Sequence, residues 1–283
     1  MSLIDGIDLI DIKHIFPNNE IKLEYLKLIS ATTGIRFDNL RTTRTINSAI
    51  IKSWDYEISK RIIRDLFNCT EKYEKNRDSK YKLDELMFQW QHLNLGEFEW
   101  PFLPIRFDQH VHILNRRNIS EAEKDDILSK EIIKYRRIKD INAQRNDYIE
   151  YLIFENNENI IPTLGNSKGV DFYINGEPYD QKVGRSVGTT FIEEFGSNYK
   201  EIAINSPHLV ARSLYEGQDE ARFGSENRLL IVYLDNDLDI GDIEASLANV
   251  DFRYPMRVEF EYEFSNGKII PYETYCYIVL LHK

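Results

Sequence analysis

Asp180 and Lys182 stand two residues apart in a short segment, Tyr179–Val183, which follows Val170–Ile174 across an Asn175-Gly176 pair. Asn-Gly between two short apolar runs is a strong hairpin signal, because both residues tolerate the positive φ of a two-residue turn. Residues two apart on a strand share a face. Asp180 and Lys182 therefore project together, while Tyr179, Gln181 and Val183 point the other way. The tight turn can bring Asp171, on the first strand, alongside Asp180. Two carboxylates on one sheet face repel each other unless a cation lies between them. Hard oxygen ligands with positions left for water suit Mg2+, with Mn2+ as a substitute. A lysine beside such an ion can orient or deprotonate the attacking water and offset charge on a phosphate. The ion stabilises developing negative charge and supplies activated water. The chemistry this set can do is metal-dependent phosphodiester hydrolysis.

Those residues need a helix before them and a packed sheet around them. Ser120 with Glu123 fits a capping box, and apolar spacing continues through Ile138 and Ile141 to Ile149, Leu152 and Phe154. After Asn156 the period changes, and Ile160–Leu164, Val170–Ile174 and Tyr179–Val183 read as strands. Ser206-Pro207 reads as a helix start, an N-cap serine followed by proline at the first helical position, with the helix running to Glu216. Arg228–Leu234 is a continuous apolar run, as in a strand buried on both faces. A short helix at Ile240–Ala248 and a hairpin of Arg257–Phe264 with Tyr275–Leu281, turning at Asn266-Gly267, close the chain. Upstream, helices are predicted around Ile21–Ile29 with a stop at Gly34, from Ser48 to Phe67, and from Lys82 to Leu93. Gly96–Pro104 reads as a packed aromatic connector. The predicted fold class is α+β with an α/β-type core. Residues 1–118 form a mainly helical region for DNA contact or oligomerisation, and residues 119–283 the domain that carries the chemistry.

Asp171…Asp180-Gln181-Lys182 resembles the active-site signature of PD-(D/E)XK nucleases, the superfamily of many type II restriction endonucleases. The likeness covers roughly residues 142–235. It implies a restriction-endonuclease-like αβββαβ mixed sheet, with the first acidic residue and the (D/E)XK element on adjacent antiparallel strands. It also implies Mg2+-dependent endonuclease activity on DNA, in a restriction or phage-defence role. A further acidic residue on the preceding helix is a family feature, and Glu150 takes that part, with Asp147 one turn earlier as its competitor. Asp171, Asp180 and Glu150 would hold metal and Lys182 would assist the water. Val170 stands where the family name has proline, and Asp180 replaces the commoner glutamate.

Weaker candidates surround this set. Arg185, just past the strand, could meet a phosphate. His208 and Arg212 lie four apart on one helix face, near an amino end that favours anions. Gln181 reads as a packing or supporting residue. His110-Val-His112 has the spacing of two ligands on one side of a strand, but no Cys or acidic cluster completes a zinc set. Lys134, Arg136, Arg137, Lys139 and Arg145 give the helix before the site a basic stretch that could lie along DNA, although such runs are more often solvated faces.

The bulk numbers are those of a globular protein: 283 residues, 42% hydrophobic and 29% charged. The net charge of −11 runs against a phosphate-binding surface. Most of it lies after residue 215, where fourteen acidic residues face six basic ones, whereas residues 134–145 carry a local +4. Two cysteines, Cys69 and Cys276, with no ligand spacing suggest a reducing, cytoplasmic setting. No apolar run approaches the roughly 18–20 residues that cross a bilayer, and the acidic amino terminus is unlike a signal peptide. P-loop, GxSxG and GxGxxG patterns are absent. The expected partner is DNA, met by a homodimer if the target is a symmetric duplex. The rival readings are a catalytically inactive nuclease-like fold that binds nucleic acid or protein, and a metal-free carboxylate-pair hydrolase such as a glycosidase.

Overall fold

The computed structural model describes residues 2–96, 107–165, 169–217, 227–235, 237–248, 250–263 and 267–283. Its amino-terminal part is helical: α1 (Leu9–Ile15), α2 (Asn19–Thr33), α3 (Thr43–Ser53), α4 (Tyr56–Asn68), α5 (Glu71–His92) and α6 (Phe107–Asn115). A long helix, α7 (Glu121–Asn156), leads into β1 (Ile160–Pro162), β2 (Phe172–Ile174) and β3 (Glu177–Gly184). Then come α8 (Thr189–Phe195), α9 (Tyr199–Asn205), α10 (Pro207–Glu216), β4 (Arg228–Tyr233), α11 (Ile240–Ala248), β5 (Met256–Glu263) and β6 (Ile269–Leu281). The class is α+β. The strands form one mixed six-stranded sheet in the order β1-β2-β3-β4-β6-β5. β1, β2 and β3 are antiparallel neighbours, β3, β4 and β6 run parallel, and β5 returns antiparallel on β6.

The alternation of side chains along the strands decides which helices cover which face. Phe172, Ile174, Tyr179, Leu229 and Ile231 point to one side and pack with Ile149, Ile153 and Ile243 of α7 and α11. Leu230 and Val232 point to the other side, against Phe191, Ala203, Val210 and Tyr215 of α8–α10. At the β1–β2 end that second side is covered instead by the amino-terminal helices, where Ile161 and Tyr173 meet Phe16, Tyr25, Ile63 and Phe67. By the same alternation Asp180 and Lys182 lie on this second face, at the seam between the two helical covers.

Local sequence explains the boundaries that matter. Ser120 and Glu123 form the expected reciprocal cap, with Glu123 accepting from the Ser120 amide at 2.9 Å. α7 then runs unbroken for 36 residues. Asn175 and Gly176 take φ values of 53° and 83°, so the hairpin turns in two residues. A Cβ on Gly176 would come within 2.7 Å of Ser2 Oγ and 2.9 Å of Ile4 Cγ1. Glycine is required there by conformation and by crowding alike.

Several expectations need correction. The stretch from Ser48 to Phe67 is two helices, because Asp55 caps α4 by accepting from the Ile58 amide at 2.9 Å. Two helices, α8 and α9, stand between β3 and α10, a stretch to which the sequence pattern assigned no element. Pro207 opens α10, but the Ser206 side chain makes no cap bond. His110 and His112 lie on α6, where residues two apart do not share a face, so the strand-type ligand pair does not exist. Most of the Gly96–Pro104 connector and the Asn266 turn lie outside the described residues. No helix among the described residues is long and apolar enough to cross a membrane.

One side chain fastens the carboxyl end of α7 to the sheet. The Arg64 guanidinium on α4 donates to the carbonyls of Asn157 (3.0 Å), Ile160 (2.7 Å) and Phe154 (3.1 Å), and stacks over the Phe154 ring at 4.1 Å. It thus satisfies carbonyls that the helix end leaves open. Removing it leaves those carbonyls without their charged donor, so Arg64→Ala should cost roughly 3 kcal/mol by chemical denaturation. Arg64→Lys should recover less than half of that, because an ammonium cannot reproduce the planar fork. Full recovery by lysine would contradict the clamp.

Candidate active site

Asp171 immediately precedes β2 and is half-buried. Its amide donates to the Tyr179 carbonyl at 2.9 Å, extending the β2–β3 pairing by one residue. Its Oδ2 accepts from the Gln181 amide at 2.8 Å. The carboxylate is therefore held against the backbone between Asp180 and Lys182, at the middle of the Asp-Gln-Lys element. The Asp171 carbonyl is tied in turn to the Thr163 amide at 3.2 Å, just past β1.

Asp180 is buried, with its amide donating to the Asn227 carbonyl at 3.0 Å at the entrance of β4. Its Oδ2 lies 2.7 Å from Lys182 Nζ. The lysine is 54% exposed, so one end of the ion pair is fixed in the protein and the other faces solvent. Gln181 points to the opposite face, as the strand period requires. What it contributes to the site is its amide hydrogen.

Glu150 projects from α7 toward this set and forms an ion pair with Lys72 of α5 at 2.5 Å. Asp147, the competitor one turn earlier, pairs with Lys75 at 2.8 Å. The two helices are thus joined by paired charges, with Glu150 the nearer to the strands. Burial raises the Glu150 carboxyl above the ordinary range, Lys72 opposes that rise, and the charges of Asp171 and Asp147 add to it. Burial likewise raises the Asp171 carboxyl; the Gln181 amide opposes the rise, Asp180 adds to it, and Lys72 and Lys182 pull it back. Glu150, Asp171 and Asp180 form an electrostatically connected chain, compensated by one lysine on β3 and one on α5. Lys72 had no motif to reveal it in the sequence.

A second unanticipated residue is Arg228. In the parallel pairing of β3 with β4 it stands opposite Asp180, on the same face. It is 3% exposed, its guanidinium lies 5.2 Å from the Tyr215 ring centre, and Nε and Nη1 meet no hydrogen-bond partner among the described residues. Cationic character therefore extends from the buried wall of the site.

The weaker candidates fall elsewhere. Arg185 is exposed just beyond β3, and His208 is exposed on the first turn of α10. Arg212 pairs with Glu216 at 2.7 Å and feels Glu194 and Glu261, an acidic neighbourhood apart from the carboxylate chain. The basic stretch of α7 divides: Arg136 and Lys139 are exposed, Lys134 and Arg137 half-buried, and Arg145 buried. Arg145 is buried and donates to the Leu238 carbonyl at 2.7 Å, Arg136 pairs with Asp140 at 3.0 Å, and Arg137 donates to Gln89. Among the described residues, no three His, Cys, Asp or Glu side chains converge as a ready-made metal cage. Asp171 and Asp180 are neighbours on adjacent strands, with Lys182 on Asp180 and Glu150 paired to Lys72.

The raised carboxyls tie this site to stability. A carboxyl whose folded pKa lies above its unfolded value contributes stability fully present below the unfolded pKa and lost as pH rises through the folded one. Both Glu150 and Asp171 have that sign, so their ionised forms are held at a cost to the fold. Asp171→Asn keeps an oxygen to accept from Gln181 and removes one charge. It should raise the melting temperature at pH 8 by about 2 °C or more. The gain should vanish near pH 3, below the ordinary carboxylate range. A lower melting temperature at pH 8 would contradict this reading.

No protein-family model, curated protein or solved structure matches this chain.

Proposed function

We propose that this protein is a divalent-metal-dependent endodeoxyribonuclease of the PD-(D/E)XK type, with Asp171, Asp180 and Lys182 at its centre and Glu150 in support. The observation that carries the reading is the position of Asp171. Its carboxylate is bound to the Gln181 amide, so that the first acidic residue is locked onto the Asp-x-Lys element of the neighbouring antiparallel strand. The order α7, β1, β2, β3, α10, β4 agrees with an αβββαβ core of the restriction-endonuclease type, with α8 and α9 as additions before the second helix.

The residues suit the chemistry. Asp171 and Asp180 offer a hard-oxygen pair, and Mg2+ typically takes one or two carboxylates, keeps several waters and leaves the rest to substrate phosphate. A converging cage of three protein ligands is thus not required. An ion held there, Mg2+ or Mn2+, would stabilise phosphorane charge and lower the pKa of a bound water. Burial and the pair with Lys182 hold the Asp180 carboxylate on the second face of the sheet. Lys182, tethered to Asp180 Oδ2 yet half in solvent, can contact a phosphate oxygen or hold the attacking water by one hydrogen bond. Arg228, buried opposite Asp180 on β4, adds positive potential on the same face. Such placement favours an anionic, extended substrate, and DNA is the one implied by the resemblance.

The test is cleavage of supercoiled plasmid and phage DNA in Mg2+ by wild type, Asp180→Ala and Lys182→Ala, with an EDTA control. Wild type should nick or cut the DNA, EDTA should abolish cleavage, and each substitution should slow it about 100-fold or more. Cleavage that persists undiminished in EDTA or in both variants would overturn the assignment. A folded wild type inert on DNA and RNA in Mg2+ and Mn2+ would leave the fold a binding module.

A further inference from the structure

Lys72 is the second residue of α5, in a first helical turn where the macrodipole favours acids and disfavours cations. A cation placed against that gradient is held by what it faces. Its Nζ is 2.5 Å from Glu150 Oε1, and the two side chains are only 29% and 17% exposed. The same charge reaches Asp171, where it opposes the rise that burial imposes on that carboxyl. On its other side the ammonium stands 5.9 Å from the Phe67 ring centre, which offers it a further weak attraction. Lys75, one turn along α5, makes a comparable pair with Asp147 but is 58% exposed, and the lysines that chiefly offset the burial of Asp171 are Lys72 and Lys182. Of these two ion pairs between α5 and α7, the Lys72–Glu150 pair is the one tied to the carboxylate chain.

We infer that Lys72 is the resident counter-ion of the site: its ammonium neutralises Glu150 beside Asp171 in the metal-free protein and gives way when a divalent cation binds. The inference rests on the nuclease reading, whose metal would sit among the same carboxylates. A lysine suits the task. It is a compact charge on a flexible four-carbon stem, able to swing toward solvent, whereas an arginine would grip a carboxylate with a fixed fork. Two like charges a few ångströms apart at a protein surface repel by several kcal/mol, so ammonium and metal ion compete for one set of oxygens. The amino-terminal helices thereby contribute a side chain that lowers metal affinity while keeping the metal-free carboxylates from repelling one another. Metal occupancy and the seating of α5 on α7 become linked, because the ion releases one of the contacts that join them.

Calorimetric titration with Mn2+ tests this on folded full-length protein, with no need of catalysis. Wild type, Lys72→Met, Lys72→Gln, Lys75→Met and Asp171→Ala are compared. Lys72→Gln serves as the second variant should loss of the charge prevent Lys72→Met from folding, since an amide can still donate to Glu150. The expected result is Mn2+ binding about tenfold tighter or more in both Lys72 variants. Lys75→Met should stay within about twofold of wild type, and Asp171→Ala should lose the site. Wild-type binding that depends on Asp171 but is no tighter without Lys72 would overturn the counter-ion and leave the metal site standing. An absence of Mn2+ binding in wild type and in both Lys72 variants would overturn the metal site and the counter-ion together.

Discussion

Burying like charges beside one another is the constraint on which this structure turns. The hairpin brings Asp171 against the backbone of β3, one residue from Asp180, and Glu150 of α7 lies close enough for its carboxyl to feel the charge of Asp171. Left alone, three such carboxylates so largely withdrawn from water would push apart or take up protons. Around them stand the Gln181 amide and Lys182 of β3 and Lys72 of α5. The sheet supplies the first two through its register. The third depends on α5 lying along α7, and that packing depends on the amino-terminal helices being seated on the β1–β2 end of the sheet. A local electrostatic need is thus met only by the assembled fold.

The same logic explains where the site lies. β3 is the strand at which the sheet passes from antiparallel to parallel pairing, and the helices covering its second face change there from the amino-terminal group to α8–α10. A seam between two covers leaves room for solvent at Lys182 while Asp180 stays buried. Arg64 holds the α7 end to β1, so the helix that carries Glu150 cannot drift relative to the hairpin that carries Asp171. Sites of this kind are maintained at some expense of stability, as expected where function needs groups that the fold alone would not choose.

What could be read from the sequence was what depends on near neighbours. Asn175-Gly176 encodes its turn locally, Ser120 and Glu123 encode their cap, and the face shared by Asp180 and Lys182 follows from the period of a strand. The buried character of β4 was visible in its uninterrupted apolar run. Lys72 and Arg228 were hidden because their significance lies in long-range partners, Glu150 across two packed helices and Asp180 across a parallel crossover. α8 and α9 escaped notice because each is one short amphipathic piece of seven residues, among glycines at 184, 188 and 196. The merging of α3 with α4 was avoidable, since Asp55 three residues before Ile58 is a readable start signal. Arg145, the last cation of the basic stretch of α7, could not be told from its solvated neighbours in the sequence, because a long cationic side chain can turn inward and this one donates to a buried carbonyl.

The central claim, that Asp171 and Asp180 form one metal-binding unit, is tested most directly by a crystal grown in Mn2+ and measured near the manganese absorption edge. The account predicts one strong anomalous peak in contact with oxygens of both carboxylates, with Lys182 close by. It also predicts that the peak disappears in Asp171→Ala. A map with no manganese at these side chains, or with manganese only on the acidic surface near Glu259 and Glu261, would contradict it.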